Sequence, residues 1–106
     1  FVDRLLSFGA TAVLCAGSQL SSSVLACLRA MGRRIPEEIS VLGLSGRLEA
    51  SEKKEPFTVV RQDSLSLGRA AFYMLEGLRN KIPMERLLLR PQLILRDTTG
   101  PCARHL

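Results

Sequence analysis

The side chains able to do chemistry in this chain of 106 residues are few and scattered. Its one histidine, His105, lies beside the C-terminus, and the three cysteines, Cys15, Cys27 and Cys102, show no CxxC spacing. A serine hydrolase holds its base rigidly in a cleft, and no GxSxG elbow accompanies the histidine. The run Ser21-Ser22-Ser23 falls at the start of a helical pattern, where capping and solvation account for it. With no HxxxH or DxDxG pattern there is no ligand set for a metal, so neither an enzyme nor a cofactor is expected. An odd cysteine count describes no disulfide framework. Cys15 and Cys27 read as small buried hydrophobes and Cys102 as part of an exposed tail, which fits a reducing cytoplasm.

Binding of a small ligand is better provided for. Gly17-Ser18 joins a strand pattern to a helix start, where backbone N–H groups point outward and favour anions. No glycine-rich phosphate fingerprint is present. In open α/β sheets, however, ligands bind beyond the carboxyl ends of the strands. The ends here are Gly17-Ser18, Ser45-Gly46 and Arg61-Gln62-Asp63, small and polar as a pocket rim requires and as loops that merely end strands also are.

The elements that must position these ends follow from the hydrophobic pattern. Residues 1–8 read as the end of a helix stopped at Gly9, the first sign of a piece of something larger. Thr11 to Ala16 and Ile39 to Leu44 are short continuous apolar runs, as in buried parallel strands. Between them Leu20, Val24, Cys27, Leu28 and Met31 recur at helical steps, with Ser18 as N-cap, Gly32 as the stop and Pro36 barring renewal. That sequence is a βαβ unit. Ser45 to Pro56 is polar and reads as a surface loop, and Phe57 to Arg61 as a third strand. Asp63 or Ser64 caps a second helix, whose stripe is Leu67, Ala71, Met74, Leu75 and Leu78. Two apolar runs, Leu87 to Leu89 and Leu93 to Leu95, flank Pro91, which cannot donate to a central ladder, so the chain must bend or change sheets there. The fold class is α/β with a parallel sheet.

Composition excludes several classes. With 46% hydrophobic and 24% charged residues the chain is not predominantly disordered, and no apolar run approaches the ~20 residues of a membrane span. No membrane partner is expected. The net charge of +5 comes from twelve Arg and three Lys against ten acids. The basic residues are dispersed, Arg33-Arg34 before Glu37-Glu38 and Lys53-Lys54 between Glu52 and Glu55, which describes a solvated surface and not a nucleic-acid footprint.

Three blocks carry a family resemblance. Arg34-Ile35-Pro36-Glu37-Glu38-Ile39-Ser40-Val41-Leu42-Gly43 resembles the "P-E/D-D-V/I-S-V-V/I-G-F/Y-D-D" block of the LacI/GalR bacterial transcription regulators. Pro56, Thr58, Val60, Arg61, Gln62, Leu67, Gly68 and Ala71 fall in register with that family's "PLTTVRQP" segment and the helix after it, and Leu87 to Pro101 resembles its closing segment. The match runs over about residues 10–101.

The resemblance implies a Rossmann-like lobe of the periplasmic binding protein class, here an incomplete fragment, in a regulator whose helix-turn-helix head lies upstream. Residues 1–60 and 93–101 would belong to the C-terminal lobe, and 61–92 to crossover segments and a helix of the other lobe. A small effector, a sugar or related metabolite, would bind between the lobes and shift the affinity of the absent head for operator DNA. The effector-binding positions carried over are Gly17 with Ser18, Ser45, and Arg61, Gln62 and Ser64 at the crossover. Gly17 stands where the family has Asn and Ser45 where it has Asp, so a usual sugar mode is not expected unchanged. The family dimerises side by side, which maps a homodimer surface near Ser22, Leu25, Ala26 and Arg29, with Leu25 either exposed there or a partly buried helix flank. The helix stripe after Ser64 would lose its cover with the other lobe absent and pack on a neighbour or on its own sheet. The alternative is a periplasmic-type sugar-binding protein of the related fold.

Overall fold

The computed structural model describes residues 1–45 and 55–103, so most of the expected surface loop at 45–56 and His105 lie outside the described residues. Helix α1 (Val2–Ser7) ends at Phe8, and Gly9 follows with φ 74°, the left-handed turn the sequence asked for. Strand β1 (Ala12–Cys15) leads through Gly17 into α2 (Ser18–Ala30), which Gly32 ends, again at φ 74°. Then come β2 (Ser40–Ser45), β3 (Thr58–Arg61), α3 (Ser64–Arg79) and β4 (Gln92–Ile94).

The four strands form one sheet in the order β1-β2-β3-β4. The first three run parallel, with Val13 opposite Val41 and Gly43 opposite Val59. β4 is antiparallel to β3, Arg61 facing Gln92. The expected parallel sheet therefore carries one antiparallel edge. Leu87 to Leu89 is no strand, and pairing starts only after Pro91, as the missing N–H of proline requires.

α2 packs across β1 and β2. Its buried positions are Ser21, Val24, Leu25 and Leu28, spaced i, i+3, i+4, i+7. They meet Cys15, Ile39, Val41, Phe57 and Val59. This corrects the expected stripe by a rotation of the helix. Leu20 (48% exposed), Cys27 and Met31 face out, and Leu25 and Ser21 face in. The cause lies in two small residues. A Cβ on Gly43 would collide with Ser21 Oγ and the Phe57 ring, so α2 approaches β2 through a serine against a glycine. A leucine at that contact would hold the helix away.

The C-terminal segment is stitched to the sheet by threonines. Thr98 Oγ1 donates to Val41 O (2.8 Å) and accepts from Thr58 N (2.8 Å), while Val41 N donates to Thr98 O (2.8 Å). These bonds satisfy buried polar groups on β2 and β3 without another strand.

The opposite sheet face has no helix among the described residues, so Leu14 is 62% exposed and Leu44 is 38% exposed. α3 likewise packs on no other helix or strand among them. It is capped by Asp63, which accepts from Ser66 N at 3.0 Å and Ser66 Oγ at 2.5 Å. Of its expected stripe, Leu67, Ala71, Leu75 and Leu78 are exposed, and Met84 covers only the last turn at Gly77. The helix does not fold back on its own sheet.

Candidate functional site

β3 and β4 meet at Arg61 and Gln92, so the chain leaves the sheet after β3 and returns to it side by side. A pocket of about 520 Å³ opens at that end. β1 contributes Ala16 and Gly17, β2 Leu44 and Ser45, β3 Val60 and Gln62, and the returning segment Leu89 and Pro91. Gly17, Ser45 and Gln62, expected from three separate strand ends, are thus brought together. Leu44, Val60, Leu89 and Pro91 were not anticipated as lining. Their only signal was adjacency to a strand end or to the Pro91 bend.

Gly17 is held by its backbone. Its φ of 140° and ψ of 145° belong to glycine, although open space surrounds the position of a Cβ. Gly17 is also the N-cap of α2, in place of the expected Ser18, which is the first helical residue and does not line the pocket. Gly17 O accepts from Ser21 N (3.0 Å) and Ser21 Oγ (2.6 Å), which ties the pocket rim to the inward serine of α2.

Ser45 is buried at 6% exposure, and its Oγ donates to Glu55 Oε1 at 2.9 Å. Its carbonyl accepts from Gln62 N at 2.8 Å, which fixes where the chain turns out of the sheet. Gln62 itself is exposed and open to the pocket.

Arg61, expected as a polar anchor for ligand, is turned the other way. Its Nη2 lies 2.8 Å from Glu55 Oε2, and Arg96 Nη1 lies 3.6 Å from the same oxygen while donating to Phe57 O at 3.0 Å. Arg61 Nε is buried without a hydrogen-bond partner among the described residues. A buried carboxylate attracts the nearest guanidinium more strongly than an open pocket does, and this decides the direction of Arg61. Ser64 is separate too. It lines a shallow depression on α3 with Leu65, Gly68, Arg69 and Phe72, away from the strand ends.

Glu55 is the functional-region residue that sequence reasoning missed. In the run Glu52-Lys53-Lys54-Glu55 it reads as a solvated charge, yet it is only 4% exposed. Burial pushes its carboxyl up. Hydrogen bonds from its own backbone N–H, from Ser45 and from Arg61, with the charge of Arg61, outweigh that and hold it below the ordinary value. Asp63, at the surface, is also held low, by the Ser66 hydroxyl and backbone N–H. Burial raises the Cys15 thiol above its ordinary value, against a hydrogen bond with Ser21, so Cys15 behaves as a core side chain. Among the described residues no three His, Cys, Asp or Glu side chains gather to hold a metal, and no helix is long and apolar enough to cross a membrane.

Of the positions mapped to a dimer surface, Ser22, Ala26 and Arg29 are exposed on α2. Leu25 is not: at 2% exposure it belongs to the core, because the rotation of α2 turns it onto the sheet.

The fold has counterparts among known proteins. The profile of the periplasmic binding protein-like domain family matches residues 2–99. The chain belongs to that family. Within it this periplasmic binding protein-like domain is of the LacI/GalR regulator type, as the sequence blocks implied. The HTH-type transcriptional repressor PurR of Vibrio vulnificus is 33% identical over 90 residues, covering 83% of this chain and 27% of that protein. A LacI family transcriptional regulator from Arthrobacter sp. FB24, solved in complex with lactose, superposes with a TM-score of 0.72 at 28% identity, over 93% of this chain and 38% of that one. The transcription regulator CcpA of Lactococcus lactis shares the fold with a TM-score of 0.75 at 24% identity, over 93% and 37%. The chain spans about a quarter of the length of the curated relatives it matches.

Proposed function

We propose that this chain is the effector-binding and dimerisation region of a DNA-binding transcriptional regulator, and not an enzyme. The observation that carries the reading is the strand-end pocket in which Gly17, Ser45 and Gln62 converge from three strands beside the returning segment. Residues 1–60 and 93–101 form one lobe. Residues 61–92 cross to a second lobe, whose surface receives the apolar face of α3. A small molecule held between the lobes shifts their relative orientation, and a DNA-binding part outside this chain reads that shift at its operator in the cytoplasm. The exposed flank of α2 at Ser22, Ala26 and Arg29 forms part of a homodimer surface. The relatives are named as transcriptional repressors and regulators, which favours this reading over a periplasmic-type solute-binding protein.

The test is thermal shift of the full-length protein with a panel of metabolites, repeated with Gln62→Leu. A ligand that raises Tm in the parent and loses at least tenfold in affinity in Gln62→Leu places the effector here. A ligand whose affinity is unchanged in Gln62→Leu assigns the effector to another site.

A further inference from the structure

The pocket's chemistry narrows what it can hold, on the proposed reading that it is an effector site. Five of the residues that line it, Ala16, Leu44, Val60, Leu89 and Pro91, are apolar, and Gly17 adds no side chain. The Ser45 hydroxyl proton is directed to Glu55 Oε1 at 2.9 Å. The nearest cation among the described residues, Arg61, lies 2.8 Å from the same carboxylate, whose Oε2 is also 3.6 Å from Arg96. Among the described residues Gln62 is left as the polar side chain that faces the pocket with both donor and acceptor capacity.

We propose that this pocket takes a compact, uncharged and largely apolar small molecule that presents one hydrogen-bonding edge to Gln62, and that Glu55 sets this specificity by holding the Ser45 hydroxyl and the Arg61 charge away from the ligand. A sugar brings a hydroxyl on nearly every carbon, and each one buried against Leu44, Leu89 or Pro91 loses its water without a replacement partner. An anion needs a cation facing the pocket, and Arg61 is turned from it to Glu55. A volume of about 520 Å³ suits a molecule of one or two rings. The apolar lining then supplies attraction, and Gln62 supplies orientation.

The experiment is calorimetric titration of the full-length protein with two probe sets: indole, coumarin, p-cresol and cyclohexanone, against glucose, galactose, lactose and glucose 6-phosphate. The expected result is binding by at least one apolar probe, at least tenfold tighter than any sugar. Glu55→Gln, which keeps a partner for Ser45 but removes the negative charge, is expected to gain at least tenfold for glucose 6-phosphate. A sugar or sugar phosphate that binds the parent protein more tightly than every apolar probe overturns the ligand class and leaves effector binding standing. No binding by either set overturns the effector reading and the class with it. A folded Glu55→Gln protein without the gain overturns the role of Glu55. Should that variant fail to fold, the two probe sets on the parent protein still decide the class.

Discussion

Ser45 and Glu55, ten residues apart in sequence, meet at 2.9 Å beneath the pocket, and Glu55 carries that contact on to Arg61 and Arg96. Two strands and a third segment are joined by this one carboxylate: the end of β2 through Ser45, the end of β3 through Arg61, and the segment after β4 through Arg96. The carboxylate therefore ties two strand ends beside the pocket to the segment after β4.

Removal of the carboxylate leaves two guanidinium groups without their counter-charge. Arg61 and Glu55 side chains are 17% and 2% exposed, so solvent compensates little. Glu55→Ala is expected to cost about 3 kcal/mol in urea unfolding, and Glu55→Gln less, since the amide still accepts from Ser45. A loss below about 1 kcal/mol for Glu55→Ala would show that the cluster is solvated and contributes little.

The same group gives a pH dependence of definite sign. The folded protein holds the Glu55 carboxyl below its ordinary value, so its contribution is complete above the unfolded pKa of about 4.3 and is lost as pH falls through the folded pKa. Tm is expected to decline below about pH 4.3, with Asp63 acting in the same direction. The decline is expected to be shallower in Glu55→Gln. Identical Tm profiles for parent and variant between pH 3 and 6 would contradict this.

Two glycines with equally open surroundings predict opposite outcomes. Gly17 has φ 140°, so Gly17→Ala is expected to destabilise by about 1–3 kcal/mol despite the free space. Gly68 lies inside α3, also with nothing within 4 Å of an added Cβ. Gly68→Ala is expected to stabilise by about 0.5–1 kcal/mol, since alanine loses less backbone freedom in a helix. Denaturant melts of the two variants separate backbone conformation from space.

The two flanks of α2 are expected to respond differently. Leu25→Ala empties a core position and is expected to cost about 2–5 kcal/mol. Ala26→Glu, on the exposed flank, is expected to leave stability within about 0.5 kcal/mol while weakening self-association at least tenfold in sedimentation velocity. An unchanged sedimentation profile would remove the α2 flank from the homodimer surface.

The sequence by itself determined the elements and their order. Short β-branched runs, the glycines at 9, 17 and 32, and proline at 36 and 91 leave few places for strands, helices and turns to begin or end, because those are local conformational limits. The three strand ends that build the pocket were legible for the same reason. Orientation was decided only in the tertiary structure. Apolar spacing placed Leu20 and Cys27 inward, but the close approach of Ser21 to Gly43 turned α2 so that Leu25 entered the core. The pattern around Glu55 is that of a solvated charge, and only the convergence of Ser45, Arg61 and Arg96 makes its burial tolerable. That convergence also turned Arg61 from the pocket to the carboxylate. Local sequence limits what each residue's backbone can do, whereas the direction a side chain takes depends on charges and volumes brought from distant parts of the chain.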